Sequence, residues 1–295
     1  MRFRMIKGSY IGLCALALSN SVFAGEMGAV SSTPDHNFYI GVGGNYNSSG
    51  IENQTIYGKG VNTAYTGSVL TSSGSAAGTS SPFYQNESKF SPHLQAGYLK
   101  YFKSDDNFWG AKFSYDYLNA HLSNDSMIIP QAGSNYKYAT QETIYFTGNY
   151  LVESVQTSIN HELMLLAYIG HSFKNTKIYL GAGPSVFGMD SKINDLVGHA
   201  DYVVPGQNIS GAPAYLSKSM WEWGGAGQVG ITYSLSPSWF IDFNYTYAGT
   251  GKNTIKYVSP FTNYIAGQNT VGTSYINPSQ QVTVQSLSLS INKVF

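Results

Sequence analysis

The sequence predicts an all-β fold, a transmembrane up-and-down antiparallel β-barrel of 8 strands with short turns at one end and four long loops at the other. Three observations carry this. The chain ends on a sharply alternating strand, with Leu287, Leu289, Ile291 and Phe295 on one face and Ser286, Ser288, Ser290 and Asn292 on the other. Eight candidate strands are joined by links that alternate long and short. Charged residues make up only 11% of the chain, against about 25% in ordinary soluble proteins. Yet no later apolar run approaches the ~20 residues of a membrane helix. Strands greasy on alternate residues account for both facts.

The strands are expected at 38–46, 90–103, 108–121, 153–173, 177–189, 220–235, 238–250 and 282–295. Period-two alternation supports most of them. The first sets Phe38, Ile40 and Val42 against Tyr39, Gly41, Gly43 and Asn45. The third sets Trp109, Ala111, Phe113, Tyr115 and Tyr117 against Gly110, Lys112, Ser114 and Asp116. In the fourth, Ile159, Leu163, Leu165, Ala167 and Ile169 oppose Ser158, Asn160, Glu162 and Gly170. The sixth opposes Val229, Ile231, Tyr233 and Leu235 to Gln228, Gly230, Thr232 and Ser234. The seventh opposes Trp239, Ile241, Phe243, Tyr245 and Tyr247 to Asp242, Asn244 and Thr246. The second and fifth contain Pro92 and Pro184. Proline cannot donate to a ladder, so a bulge or a shifted boundary is expected there.

The short links are Ser104-Asp105-Asp106-Asn107, Lys174-Asn175-Thr176 and Ser236-Pro237, all turn chemistry. The long ones are residues 47–89, 122–152, 190–219 and 251–281. A Greek key has no reason to alternate link lengths this way. An eight-stranded barrel is narrow enough for side chains to fill its interior.

The amino terminus adds a compartment. Arg2, Arg4 and Lys7 precede an apolar stretch from Ile11 to Leu18, and Val22-Phe23-Ala24 suits cleavage before Gly25. The expected domains are a signal peptide (1–24), a periplasmic lead (25–37) and the barrel (38–295). Leu13 before Cys14 argues against a lipid anchor. Cleavage removes that single cysteine and leaves 13 basic against 16 acidic residues, a formal charge of −3. That balance argues against nucleic acid as a partner.

The terminal strand resembles the closing strand of bacterial outer-membrane barrels, although Lys293 stands where an apolar residue is usual. Together with the strand count, the loop asymmetry and the Gly-Ala-Gly-Pro run at 181–184 followed by Phe187, it resembles the small barrels of the OmpA/OmpX and opacity type. The resemblance implies an outer-membrane location, short periplasmic turns and extracellular loops. It implies outer-membrane lipid and lipopolysaccharide as surroundings, and the barrel-assembly machinery as a partner that reads Leu287, Leu289, Ile291 and Phe295. It brings no catalytic residue and no cofactor.

Aromatics cluster at strand ends, where a bilayer interface would hold them. Phe102, Trp109, Phe173, Tyr179, Trp239 and Phe295 are expected in a periplasmic girdle, and Tyr117, Trp221, Trp223 and Tyr247 in an outer one. Lys112, Asp116, Glu162, Glu222 and Asp242 are expected to face the lumen. Inward charges are costly unless paired, so they read as a salt-bridge plug, with a cation-lined conduit as the alternative. Four carboxylates facing one lysine require some to sit at watery rims or to be protonated.

The histidines are His36, His93, His121, His161, His171 and His199. None has the spacing of a metal site or of a lipid-modifying acyl-transfer site, and they read as interfacial or loop residues. The loops are uncharged over 61–82 and 259–280, and over 205–219 apart from Lys218. Tyr- and Ser-rich loops on a rigid scaffold suit adaptable contacts. The expected function is therefore a non-enzymatic surface antigen or adhesin-like scaffold meeting host surface molecules. A narrow channel, or an OmpW-like passage for small hydrophobic compounds, is the alternative. A lipid-modifying enzyme comes third.

Overall fold

The computed structural model describes residues 36–103, 106–201, 204–265 and 267–295. The expected signal peptide, Cys14 and residues 25–35 of the lead lie outside the described residues, as do Ser104 and Asp105 of the first turn.

Among the described residues twelve strands are formed: β1 (His36–Thr66), β2 (Val69–Thr79), β3 (Phe83–Tyr101), β4 (Asn107–Lys137), β5 (Glu142–Phe173), β6 (Thr176–Ala200), β7 (Gln207–Asn208), β8 (Ala214–Ser236), β9 (Trp239–Thr250), β10 (Asn253–Thr254), β11 (Tyr257–Ile265) and β12 (Gln268–Val294). Eight are the expected staves. They pair antiparallel in the order β1, β3, β4, β5, β6, β8, β9, β12. β12 returns to β1 from Tyr39↔Val294 onward and closes the barrel. Phe295 N–H donates to Phe38 C=O at 2.9 Å, extending the closure to the last residue. Closure leaves no strand edge in the band, which is what lets a sheet cross lipid.

Outward positions in this band are apolar and exposed, among them Ile40, Phe113, Leu165, Leu180, Phe243 and Leu289. On the closing strand the inward positions are small or polar: Ser286, Ser288, Ser290 and Asn292 are all buried. The wall is that of a membrane-spanning barrel.

The four long links are not irregular loops. Residues 47–89 form the upper halves of β1 and β3 with β2 between them; 122–152 is a continuation of β4 and β5; 190–219 and 251–281 contain β7, β10, β11 and the outer ends of β6, β8 and β12. β4 alone has 31 residues, roughly 75 Å along the barrel axis at a 40° tilt. A lipid band is only ~25 Å tall, so the hairpins stand far beyond it. They stay paired because their inward positions make a second core. Ile56, Ile129, Val152, Ile193 and Ile276 are fully buried there.

Bulges re-aim the staves, among them Glu52/Thr55 in β1, Tyr117/Ala120 in β4 and Ile159/His161 between β5 and β6. Asn53 and Asn119 take positive φ at two of them, as asparagine tolerates. The third corrects the face of Ile159. Asn160 is the extra residue, parity flips, and Ile159 points into the core. Neither proline makes a bulge. The β1–β3 register runs through Gly44↔Pro92 unchanged. Pro92 lies one residue past the β3–β4 ladder, which begins at His93↔Asp116. There the β3–β4 ladder has no rung for its missing N–H to remove. Pro184 pairs with Gly225, and the β5–β6 register is the same on both sides of it.

Candidate functional site

The lumen is built in layers. At the short-turn end, Tyr39, Phe108, Tyr168 and Tyr179 fill the cross-section. Tyr168 and Tyr179 tilt together at 5.5 Å, and Tyr39 meets Phe240 edge-on at 5.1 Å. Glycines on neighbouring strands make room. A Cβ at Gly97, Gly110 or Gly230 would lie 2.4, 2.4 or 2.3 Å from the ring of Tyr39, Tyr168 or Tyr179. The void among these rings is about 40 Å³, room for little more than a water.

Above the rings lies the charged layer. Lys112 Nζ stands 3.4 Å from Asp242 Oδ2 and donates to Tyr179 OH at 3.0 Å. Tyr179 OH donates to Asp242 Oδ1 at 2.9 Å. Gln95 Nε2 and Asn244 Nδ2 donate to the same carboxylate at 3.3 and 3.2 Å. Higher on the same wall His93 Nδ1 meets Asp116 Oδ1 at 2.6 Å, and Asn45 donates to that oxygen. Glu162 stands directly across from Asp116 on β5, fully buried, with neither carboxyl oxygen bonded to another protein group.

Two apolar layers follow. Leu118, Leu122, Ile159, Leu166, Phe187 and Val282 belong to the first; the hairpin core is the second. The Lys112–Asp242 pair is held by neutral donors and is satisfied in place.

The structure thus brings together Lys112, Asp116, Glu162 and Asp242, four of the five expected lumen charges. Glu222 does not join them. It lies half-buried beyond the β8–β9 ladder, which ends at Gly224, and accepts a hydrogen bond from Asn253. Tyr179 is corrected too. It is no girdle residue but a lumen residue, 6% exposed, because it alternates with the outward Ile178 and Leu180. The other girdle residues, Phe102, Trp109, Phe173, Trp239 and Phe295 at one end and Tyr117, Trp221, Trp223 and Tyr247 at the other, are all exposed. Lys293 rests over Trp239 and Phe295 at 6.0 and 5.3 Å, a cation–π seat for the charge at the terminus.

His93 is also corrected, from an interfacial or loop residue to a buried partner of Asp116. Its alternation with Leu94 and its parity with Gln95 carried that signal. His161 remains interfacial, stacked on Trp221 at 6.0 Å and bonded to Tyr115 OH at 2.9 Å. His121 is exposed and bonded to Ser158. His171 bonds Asn107 beside the short turns. No group of His, Cys, Asp and Glu among the described residues is arranged to hold a metal ion.

Beyond the band the wall has two seams, which period-two reasoning does not see. β4 has no ladder partner on its β3 side between His93↔Asp116 and Ala77↔Ala132. Side chains take the ladder's place: Lys89 Nζ donates to Asn119 C=O at 2.9 Å, and Glu87 accepts the His121 backbone N–H. The second seam runs between β8, whose ladder with β9 stops at Gly224, and β11, which pairs only with β12.

No protein-family model matches the sequence, and no curated protein matches it. Solved structures do. Neisserial surface protein A is 12% identical with a TM-score of 0.34, covering 82% of this chain and 96% of its own. Ail, the attachment invasion locus protein of Yersinia pestis, is 12% identical at 0.30, covering 86% and 99%. OprG, an outer membrane protein of Pseudomonas aeruginosa, is 9% identical at 0.32, covering 88% and 96%.

Proposed function

We propose that the chain works in a bacterial outer membrane as a plugged scaffold, an adhesin-like surface protein whose extended hairpins meet molecules outside the cell. One observation carries the reading: the hairpins share a core of their own, beyond the lipid band, around Ile56, Ile129, Val152, Ile193 and Ile276. Burying five such side chains stabilises a platform by several kcal/mol in total, which a barrel serving only as a passage does not need. Exposed Tyr84, Tyr145, Tyr215 and Tyr264 stand on this platform, and aromatic side chains of this kind anchor contacts. Lipopolysaccharide around the girdle and the assembly machinery at Phe295 belong to the same reading.

Cells of a non-adherent strain displaying the chain should bind epithelial monolayers. Replacing the hairpin tips at 66–69 and 138–141 with Gly-Ser turns, and Tyr84, Tyr145, Tyr215 and Tyr264 with Ser, should remove that binding while the hairpin core stays. Equal binding by tip-replaced cells with the same surface display would count against it.

A further inference from the structure

The seam between β8 and β11 holds a cavity of about 380 Å³, within the size range of small-ligand sites. Elsewhere the seam is bridged by the Asn253–Glu222 hydrogen bond and by Asn263 Nδ2 donating to Asn208 C=O at 3.1 Å. We propose that this cleft binds a neutral sugar unit of an uncharged glycan. The inference deepens the surface-contact reading above by naming what one face of the platform holds.

Four features of the lining point there. First, it contains no Lys, Arg, His, Asp or Glu, so neither an anionic nor a cationic ligand would find a counter-charge. Second, hydroxyls surround it: Ser210, Ser259, Thr262 and Ser274, with the phenol of Tyr150. An apolar guest would strip water from these groups without replacing it, at about 1–3 kcal/mol for each one left unpaired. A sugar hydroxyl both donates and accepts, which is what a wall of hydroxyls needs. Third, Tyr150 OH and Ser274 Oγ share one bond at 2.9 Å. The pair has two hydroxyl hydrogens and uses one, leaving the other for a ligand oxygen. Burial raises the phenol of Tyr150, against a lowering from Ser274, so it stays a neutral donor. Fourth, Phe261 and Tyr150 line both this cleft and a neighbouring void of about 40 Å³. Together they offer ring surface for the C–H face of a pyranose.

The competing occupant of an open seam is an extended peptide, inserted as a strand between the two edges. A third strand needs about 9.5 Å between its neighbours. At their nearest residues β8 and β11 come within 8 Å of each other, Cα to Cα, which is too narrow for a strand at that point. Pro213 and Pro260 in the lining also lack the N–H that a ladder would use.

The mature chain, refolded in a zwitterionic detergent without a sugar headgroup, would be labelled and applied to an array of neutral, sialylated and sulfated glycans. Retention should fall on neutral glycans. Phe261→Ala should lower it at least tenfold, as should Ser259→Trp, which fills the cleft without removing an aromatic. The heat-dependent gel shift of each variant reports that the barrel is intact. Retention confined to charged glycans, no retention on any neutral glycan, or retention untouched by both variants would overturn the proposal. Capture of an extended peptide that competes at Ser259→Trp would do so in favour of strand insertion. Absence of neutral-glycan retention, with cell adhesion unchanged in both variants, would leave the scaffold reading standing and remove only the sugar site.

Discussion

Asp242 on β9 collects donors from three other strands: Gln95 on β3, Lys112 on β4 and Tyr179 on β6. A charge buried this way is stabilised only while its partners remain. Asp242→Ala strands the Lys112 ammonium and removes the acceptor of three neutral groups. The expected loss is about 3–5 kcal/mol, read as a lower urea midpoint for unfolding in micelles. Lys112→Ala leaves Asp242 with Gln95, Tyr179 and Asn244 still donating, so it should cost less. The double change Lys112→Met with Asp242→Leu should recover most of the loss, because no unpaired charge is left. Recovery that fails would mean the layer is held by something other than this pair. The inward face of Asp242 is legible in the sequence from Ile241 and Phe243 on either side. Its partners are not, since Gln95 and Lys112 lie 147 and 130 positions away.

Among the elements, the β3–β4 seam is where side chains replace a ladder. Partial burial raises Glu87, but the Lys89 ammonium and the His121 N–H outweigh it and hold its carboxyl below the ordinary value. A depressed carboxyl stabilises the fold above its unfolded value and loses that contribution as pH falls through the folded one. The latch is therefore closed at neutral pH and released in acid. Glu87 is partly exposed to solvent, so the effect on global stability stays below about 1 kcal/mol. Exchange of the His121 amide should nonetheless rise several-fold in Glu87→Ala at neutral pH. An unchanged rate would show that the seam is closed by other contacts. The same scale explains why the hairpins read as loops in the sequence. Segments such as 61–82 are uncharged Ser, Thr, Gly and Ala with little apolar alternation. Their strand state is set by neighbours, as in the Tyr57↔Thr79 to Thr66↔Val69 pairing of β1 with β2.

For the whole molecule, the stacking of rings, charged layer and two apolar layers predicts electrical silence. Mature barrels inserted in a planar bilayer, with insertion confirmed by protease protection, should give no stable conductance steps. Reproducible steps would promote the channel reading and make the inward charges its filter. Lys112→Ala should not open a path, because Leu118, Leu122, Ile159 and Phe187 still close the lumen above it.

The sequence by itself determined where eight staves cross the band, where the short turns fall and, for most of them, which face meets lipid. Alternation is a property of the covalent backbone, so neighbours such as Leu287, Ser288 and Leu289 report it without any partner. The inward placement of Lys112, Asp116, Glu162 and Asp242 followed from the same rule, and that of Tyr179 and His93 was there to be read from Ile178, Leu180 and Leu94. Only the tertiary structure decided what depends on pairing between distant segments. The bulge at Asn160 turned Ile159 inward. The end of the β8–β9 ladder left Glu222 at a seam instead of in the charged layer. The cleft at β11 brings Tyr150 to Ser274 across 124 positions. Register and bulges are chosen by the sum of contacts along whole strands, and no local window of sequence contains that sum.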